Sequence, residues 1–169
     1  MTATLVLGGA RSGKTGHALE LARASGLKKF MIVTAPAVDE SMATRIARHR
    51  AERANESWTV FEEQTDVARL ARRIARPDRV VVIDCLTLWL SNLFFQDTDL
   101  AREADRLAAA LAGAEGPIVA ISNEIGLGVS PPTQIGNDFR DAQGLLNQRI
   151  ARACDTVVLV AAGLPLKLK

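Results

Sequence analysis

Five short runs of apolar, β-favouring residues punctuate the chain, at Thr4–Leu7, Phe30–Thr34, Val80–Asp84, Ile118–Ser122 and Thr156–Ala161. Several are apolar at nearly every position. That is the pattern of central parallel strands covered on both faces. A piece of mixed polarity, Ser57–Phe61, reads as an extra edge strand. Helical spacing of apolar residues predicts helices over Lys14–Ser25, Ser41–Asn55, Asp66–Arg76, Leu100–Ala112 and Gly144–Ala153. Alternation of strand and helix predicts a three-layer α/β fold with a mostly parallel central sheet. The segment from Pro131-Pro132 to Asp138 reads as a long surface loop, a candidate lid or substrate wall. No linker, internal repeat or low-complexity tract interrupts residues 1–169, which read as one domain.

Composition narrows the classes. In 169 residues, 48% are hydrophobic and 24% charged, as expected of a globular domain with a proper core. The net charge of +2 and the absence of tyrosine argue against a nucleic-acid-binding surface. Cys85 and Cys154 form no CxxC pair and fall in apolar stretches, so buried reduced thiols are expected. No leader pattern and no membrane-length apolar run stand out, which predicts a cytoplasmic protein.

Candidate chemistry begins where the first strand ends. Residues Gly8 to Thr15 read Gly-Gly-Ala-Arg-Ser-Gly-Lys-Thr, a full GxxxxGK[ST] phosphate loop between an apolar strand and a helical segment. Such a turn aims the backbone N–H groups of Gly8, Gly9, Ala10, Arg11, Ser12 and Gly13 and the helix N-terminus at one polyphosphate. Lys14 would reach the β- and γ-phosphates, and the Thr15 hydroxyl would hold Mg²⁺. A second apolar strand, Arg79–Asp84, ends in a carboxylate. Asp84 is accordingly the expected partner of Thr15 at the metal. Because ligands in parallel sheets bind beyond the carboxyl ends of the strands, the phosphate loop, Asp84 and Asn123-Glu124 should converge on one crevice.

The segment Ser41–Asn55 places His49 on a helix with Arg45 one turn before it and Glu52 and Arg53 one turn after, flanked by Arg48 and Arg50. Neighbouring cations disfavour protonation, and a neutral imidazole is a nucleophile whose phosphate target the arginines could hold. Spacing alone nevertheless favours a solvated, charged helix with Glu–Arg pairs. His17 reads as a partly buried helix residue, and the scattered histidines and cysteines suggest no zinc site. The stretch Ser122-Asn-Glu-Ile-Gly-Leu-Gly128 is either a loop approaching a ligand or a plain connection. Arg140 could face a phosphate or pair with Asp141.

Taken in order, these motifs resemble one family, the bifunctional adenosylcobinamide kinase / adenosylcobinamide-phosphate guanylyltransferases of cobalamin biosynthesis. The resemblance spans essentially the whole chain. It rests on the phosphate loop, Arg45-Ile-Ala-Arg-His-Arg50, Trp58-Thr-Val-Phe-Glu62 and Asp84-Cys-Leu-Thr-Leu-Trp-Leu-Ser-Asn92. It rests equally on Ser122–Gly128, Phe139-Arg-Asp141, Leu146-Asn-Gln-Arg149 and the terminal Gly163–Lys169. It implies a RecA-like phosphate-loop fold, ATP and GTP as substrates with Mg²⁺, and a corrinoid acceptor. In such an enzyme adenosylcobinamide is phosphorylated, and GMP then passes from GTP to that phosphate through a histidine that matches His49. Matching nucleotide contacts fall on Thr34, Ala35, Pro36, Arg50, Ala51, Glu52, Arg53, Glu62 and Asp84. The family also implies a homo-oligomer, a trimer. One departure is Ala54-Asn55-Glu56 after Arg53, where the family commonly has proline.

Two other functions fit parts of this pattern. One is a kinase of another small hydroxyl substrate. The other is a nucleotide-switched binding module, which would need a water-positioning residue and mobile loops. The sequence carries no clear pattern for either of these last two features.

Overall fold

The computed structural model describes residues 3–35, 57–96 and 98–169. The expected helix Ser41–Asn55, with Pro36, His49, Arg50, Ala51, Glu52 and Arg53, lies outside them.

The five apolar runs form strands, joined by the edge strand expected near residue 57 and by one further strand. They are β1 (Ala3–Gly8), β2 (Lys28–Val33), β3 (Trp58–Glu62), β4 (Arg79–Asp84), β5 (Ile118–Asn123), β6 (Thr156–Ala161) and β7 (Leu164–Lys167). The sheet order is β3-β2-β4-β5-β1-β6-β7. Every pairing is parallel except β6 with β7, which is antiparallel. The helices are α1 (Lys14–Ala24), α2 (Val67–Ile74), α3 (Leu86–Phe94), α4 (Leu100–Ala112) and α5 (Gln134–Ala153).

Helices cover both faces, as the unbroken apolar strands require. On one face Val6, Val82, Val119 and Ile121 pack under Ala18, Leu19 and Ala22 of α1. On the other, Leu5, Leu7, Ile83 and Ile118 meet Leu86, Trp89, Leu107, Leu146 and Ile150 from α3, α4 and α5. Each large side chain buried in this way stabilises the fold by roughly 1.5–3 kcal/mol.

Three elements depart from the sequence-based expectation. Helix α3 was not anticipated, although Leu86, Trp89, Leu90 and Leu93 form a buried stripe at helical spacing. Helix α5 runs 20 residues rather than the ten expected, so most of the anticipated 131–138 loop is its first turns. The polar residues that suggested a loop serve instead as its cap. Thr133 Oγ1 accepts from Gly136 N at 3.2 Å, and Asn137 Nδ2 donates to Pro131 O at 2.8 Å and Thr133 O at 2.9 Å. Finally, the terminal Leu164–Lys167 motif folds back as β7 through a turn at Ala162-Gly163, where φ is 50° and 80°.

Candidate active site

The first turn after β1 is a cradle of backbone N–H groups. Arg11 (φ 56°) and Gly13 (φ 96°) are both left-handed. Such reversals among right-handed residues turn successive N–H groups inward and make an anion-binding concavity. Gly13 is also the residue from which α1 starts, so the positive end of the helix points into the same space. A side chain at Gly8 would put its Cβ only 2.7 Å from Val160 O, so glycine is required there. Lys14 is buried, and its Nζ donates to Gly9 O at 3.0 Å, curling the cation over the loop. Thr15 sits half-buried in the first turn of α1.

The loop is braced from the side by the β6–β7 turn. Gly163 N donates to Ser12 O at 2.8 Å, and a Cβ on Gly13 would lie 3.1 Å from Gly163 Cα. The terminal motif is thus part of the phosphate loop's support.

The other strand ends meet at the same edge of the sheet. Strand β5 lies between β1 and β4, so Asp84 is two strands from the loop, about 10 Å at ordinary strand spacing. Thr34 follows β2, fully buried. Its Oγ1 donates to Cys85 O at 2.7 Å and accepts from Cys85 N at 2.9 Å, while its own N donates to Asp84 O at 3.1 Å. The Thr34 hydroxyl therefore holds the end of β4, and Ala35 beside it is half-buried. Glu62 ends β3 and is exposed, opposite Val33 in register.

Much of the long Asp84–Asn92 motif is structural in the same way. Thr87 Oγ1 accepts from Asn123 N at 2.9 Å, tying α3 to β5. Trp89 Nε1 donates to Thr65 O at 2.7 Å, and Asn92 Nδ2 donates to Thr34 O at 2.8 Å and Gln64 O at 3.0 Å. These side chains lock the loops after β2, β3, β4 and β5 to one another.

A second network, which the sequence did not disclose, lies beneath β5. Ser122 Oγ donates to Asn147 Oδ1 at 2.7 Å, and Gln143 Nε2 reaches both Ser122 Oγ and Asn147 Oδ1 at 3.0 Å. Asn147 Nδ2 then donates to Asn123 O at 3.0 Å. Gln143 was missed because it falls between the expected loop, which ends at Asp138, and the expected helix, which starts at Gly144, and no motif marks it. Glu124 N donates to Gly8 O at 3.1 Å, so the end of β5 is joined to the first residue of the phosphate loop.

Other candidates fall into structural roles. Arg140 Nε donates to Asp141 Oδ1 at 3.2 Å and its Nη1 to Ser130 Oγ at 2.8 Å. His17 is partly buried, 3.9 Å from Glu20. Both thiols are buried, and burial is the main cause that pushes Cys85 up to about 11 and Cys154 up to about 12. Among the described residues, no helix is long and apolar enough to cross a membrane.

Comparison with known proteins agrees with this geometry. Residues 4–168 match the family model for cobinamide kinase / cobinamide phosphate guanyltransferase. The chain is 44% identical to the bifunctional adenosylcobalamin biosynthesis protein CobP of Pseudomonas aeruginosa, covering 98% of this chain and 96% of that one. It is 34% identical to CobU of Escherichia coli, again with 98% of each chain covered. Among solved structures, the RadB recombinase superposes with a TM-score of 0.55 over 94% of this chain and 73% of its own, at 20% identity, a likeness of fold. A phosphate loop on a RecA-like sheet, together with a match over nearly the whole chain, establishes that the protein belongs to the cobinamide kinase / cobinamide phosphate guanyltransferase family.

Proposed function

We infer that the chain carries out both of its family's reactions at the crevice beyond β1, β4 and β5. It phosphorylates adenosylcobinamide with ATP or GTP, then transfers GMP from GTP to the product, releasing pyrophosphate and forming adenosylcobinamide-GDP. The observation that carries this reading is the family match over residues 4–168, which includes an intact phosphate loop on a strand–helix turn. Incubation with GTP, Mg²⁺ and adenosylcobinamide, followed by mass analysis of the corrinoid, tests it. A corrinoid that gains neither phosphate nor GMP would refute it.

Gly8 to Thr15 would bind the triphosphate through backbone N–H groups, and Lys14 would neutralise the β- and γ-phosphates. The hydroxyl of Thr15 and the carboxylate of Asp84 are hard oxygen donors at the same sheet edge, a set that suits Mg²⁺. The ion, when bound, supplies charge stabilisation at the phosphoryl oxygens. Thr34, Ala35, Pro36, Arg50, Ala51, Glu52, Arg53 and Glu62 are assigned to the guanine nucleotide by the family resemblance. Thr34 is fully buried, and its hydroxyl, N–H and carbonyl are bonded to Cys85, Asp84 and Asn92, so its part in the nucleotide site would be to hold the strand ends that shape it.

His49 is assigned as the nucleophile of the second step. Its neutral ring nitrogen would attack the α-phosphorus of GTP, pyrophosphate would leave, and a phosphoramidate would link GMP to the ring. Arg45, Arg48, Arg50 and Arg53 would favour the neutral base and stabilise charge on the oxygens. With GTP and Mg²⁺ alone, the protein should gain the mass of one GMP, stable in alkali and lost in mild acid. The adduct should vanish in His49→Ala and persist in His17→Ala. An acid-stable adduct, or one that survives in His49→Ala, would overturn the assignment. The chain is further proposed to act in the cytoplasm as a homo-oligomer, the trimer that the resemblance implies.

A further inference from the structure

Beside the phosphate loop a groove of about 590 Å³ runs between α5 and the start of β6. Leu7, Gly144, Ala151 and Val157 supply much of its apolar lining, and Glu124 and Asn147 are polar groups in it. Leu7 immediately precedes the loop, and Glu124 is hydrogen-bonded through its backbone to Gly8, so one end of the groove adjoins the phosphate site. The Glu124 carboxylate is half-buried there. One oxygen accepts from Gly126 N at 2.6 Å, and among the described residues no other hydrogen bond or ion pair reaches the carboxylate.

The support behind this residue is stiff. Asn123, directly before it, is held on its N–H by Thr87 and on its carbonyl by Asn147, and Asn147 belongs to the fully buried Ser122–Gln143 network. Among the described residues Gln143 Oε1 has no partner, but the other four bonds favour one backbone geometry, because losing any of them leaves a further polar group unpaired at roughly 1–3 kcal/mol. The network's output is the position of Glu124 against Gly8.

We propose that this groove receives the hydroxyl-bearing tail of the acceptor and that Glu124, at its phosphate end, takes the hydroxyl proton during phosphorylation. The inference rests on the kinase reading above. In the step, the acceptor oxygen bonds to the γ-phosphorus while its proton passes to the Glu124 carboxylate. The bond from the γ-phosphorus to the β,γ-bridging oxygen breaks, and the nucleoside diphosphate leaves with that electron pair. Asp84 is a poorer base because its position at the end of β4 suits it to the metal. The second reaction of the enzyme has a phosphate acceptor with no hydroxyl proton to lose, so it makes no such demand. Asn147 and Gln143 act through Glu124 as positioning residues.

The test uses the full chain with adenosylcobinamide and ATP, and separately with adenosylcobinamide phosphate and GTP. Glu124→Gln keeps the side-chain size and the contact with Gly126 but cannot accept the proton. It should lower kcat for phosphorylation by about 10²–10⁴-fold, the usual contribution of a positioned base. KM for ATP should stay near the wild-type value, and the ratio of phosphorylation to guanylyl transfer should fall by a similar factor. Asn147→Leu should lower the same ratio less, with Asn147→Gln recovering part of it. A second variant tests the groove independently. A Cβ at Gly144 meets nothing within 4 Å, so Gly144→Leu should fold and fill the groove. It should raise KM for adenosylcobinamide at least about tenfold, a loss of roughly 1.4 kcal/mol, without raising KM for ATP. Phosphorylation by Glu124→Gln within threefold of wild type, or an equal loss of both reactions, would overturn the role of Glu124. An unchanged corrinoid KM in Gly144→Leu would overturn the groove assignment. A wild-type chain that phosphorylates no corrinoid would instead refute the kinase reading itself.

Discussion

Lys14 is a buried cation whose ammonium group already lies on the phosphate loop, 3.0 Å from Gly9 O. Both proposed reactions place a triphosphate in that loop, so Lys14→Ala should depress phosphorylation and guanylyl transfer together. Removing a preorganised electrostatic group costs about 10²–10³-fold in kcat, and initial rates of both steps measure it. At the same scale, the two thiols make a titration prediction. Folding holds Cys85 and Cys154 as neutral thiols well above the ordinary value of 9.0, chiefly because burial disfavours the thiolate. Labelling by a thiol reagent at pH 8 should therefore be slow in the native protein and fast in denaturant. The sign for stability follows from proton binding. Above pH 9 the unfolded chain releases these protons while the folded chain keeps them. Stability from this source is complete below pH 9 and is lost as pH rises through about 11 to 12. Chemical denaturation across that window should show the decline, and Cys154→Ser should flatten part of it.

Elements here are joined at their ends by single side chains. Thr34 is the clearest case, since its hydroxyl both donates to and accepts from the Cys85 backbone and so ties the end of β2 to the end of β4. Thr34→Val preserves shape but leaves the buried Cys85 N–H without a partner, while Cys85 O keeps its bond from Trp89 N. The expected loss is about 1–3 kcal/mol for that unsatisfied group, seen as a lower midpoint in denaturant. Because the same contact positions Asp84, the proposed metal ligand, phosphorylation measured with Mg²⁺ should fall further than the lost stability explains. The β6–β7 turn and the α3 side chains Thr87, Trp89 and Asn92 work in the same manner. They account for motif residues that a chemical reading of the sequence leaves without a role.

For the whole molecule, the informative feature is what stays uncovered. Leu127 (83% exposed), Val129 (98%) and Leu164 (72%) are large apolar residues in water, and Leu166 and Leu168 are exposed with them along the final strand and tail. An apolar edge strand and loop of this kind favour association. Sedimentation equilibrium should give a mass that is a multiple of 18.1 kDa, three times that value for the proposed trimer. Leu166→Lys with Leu164→Glu should shift the distribution toward monomer if β7 takes part in the interface.

What the sequence determined by itself was local and dense in signal. The five apolar runs read as strands and are strands, the exact span of α4 followed from its apolar spacing, and Gly8–Thr15 read as a phosphate loop because one contiguous segment supplies all of its geometry. Tertiary structure decided whatever depends on partners distant in the chain. The stripe Leu86–Leu93 was helical in period but short and apolar enough to hide beside β4, and packing against the sheet made it α3. Gly136, Asn137 and Asp138 look like loop residues, and here the deciding contacts are local, since Thr133 Oγ1 caps Gly136 N and Asn137 Nδ2 donates to Pro131 O. Only the order of strands showed that β5 stands between β1 and β4, which puts Glu124 against Gly8 across 115 intervening positions. The Ser122–Gln143–Asn147 network likewise joins residues more than twenty apart, and no short motif can record such a contact. A phosphate loop is written in consecutive residues, whereas the groups facing it are chosen by which strand ends the sheet sets side by side.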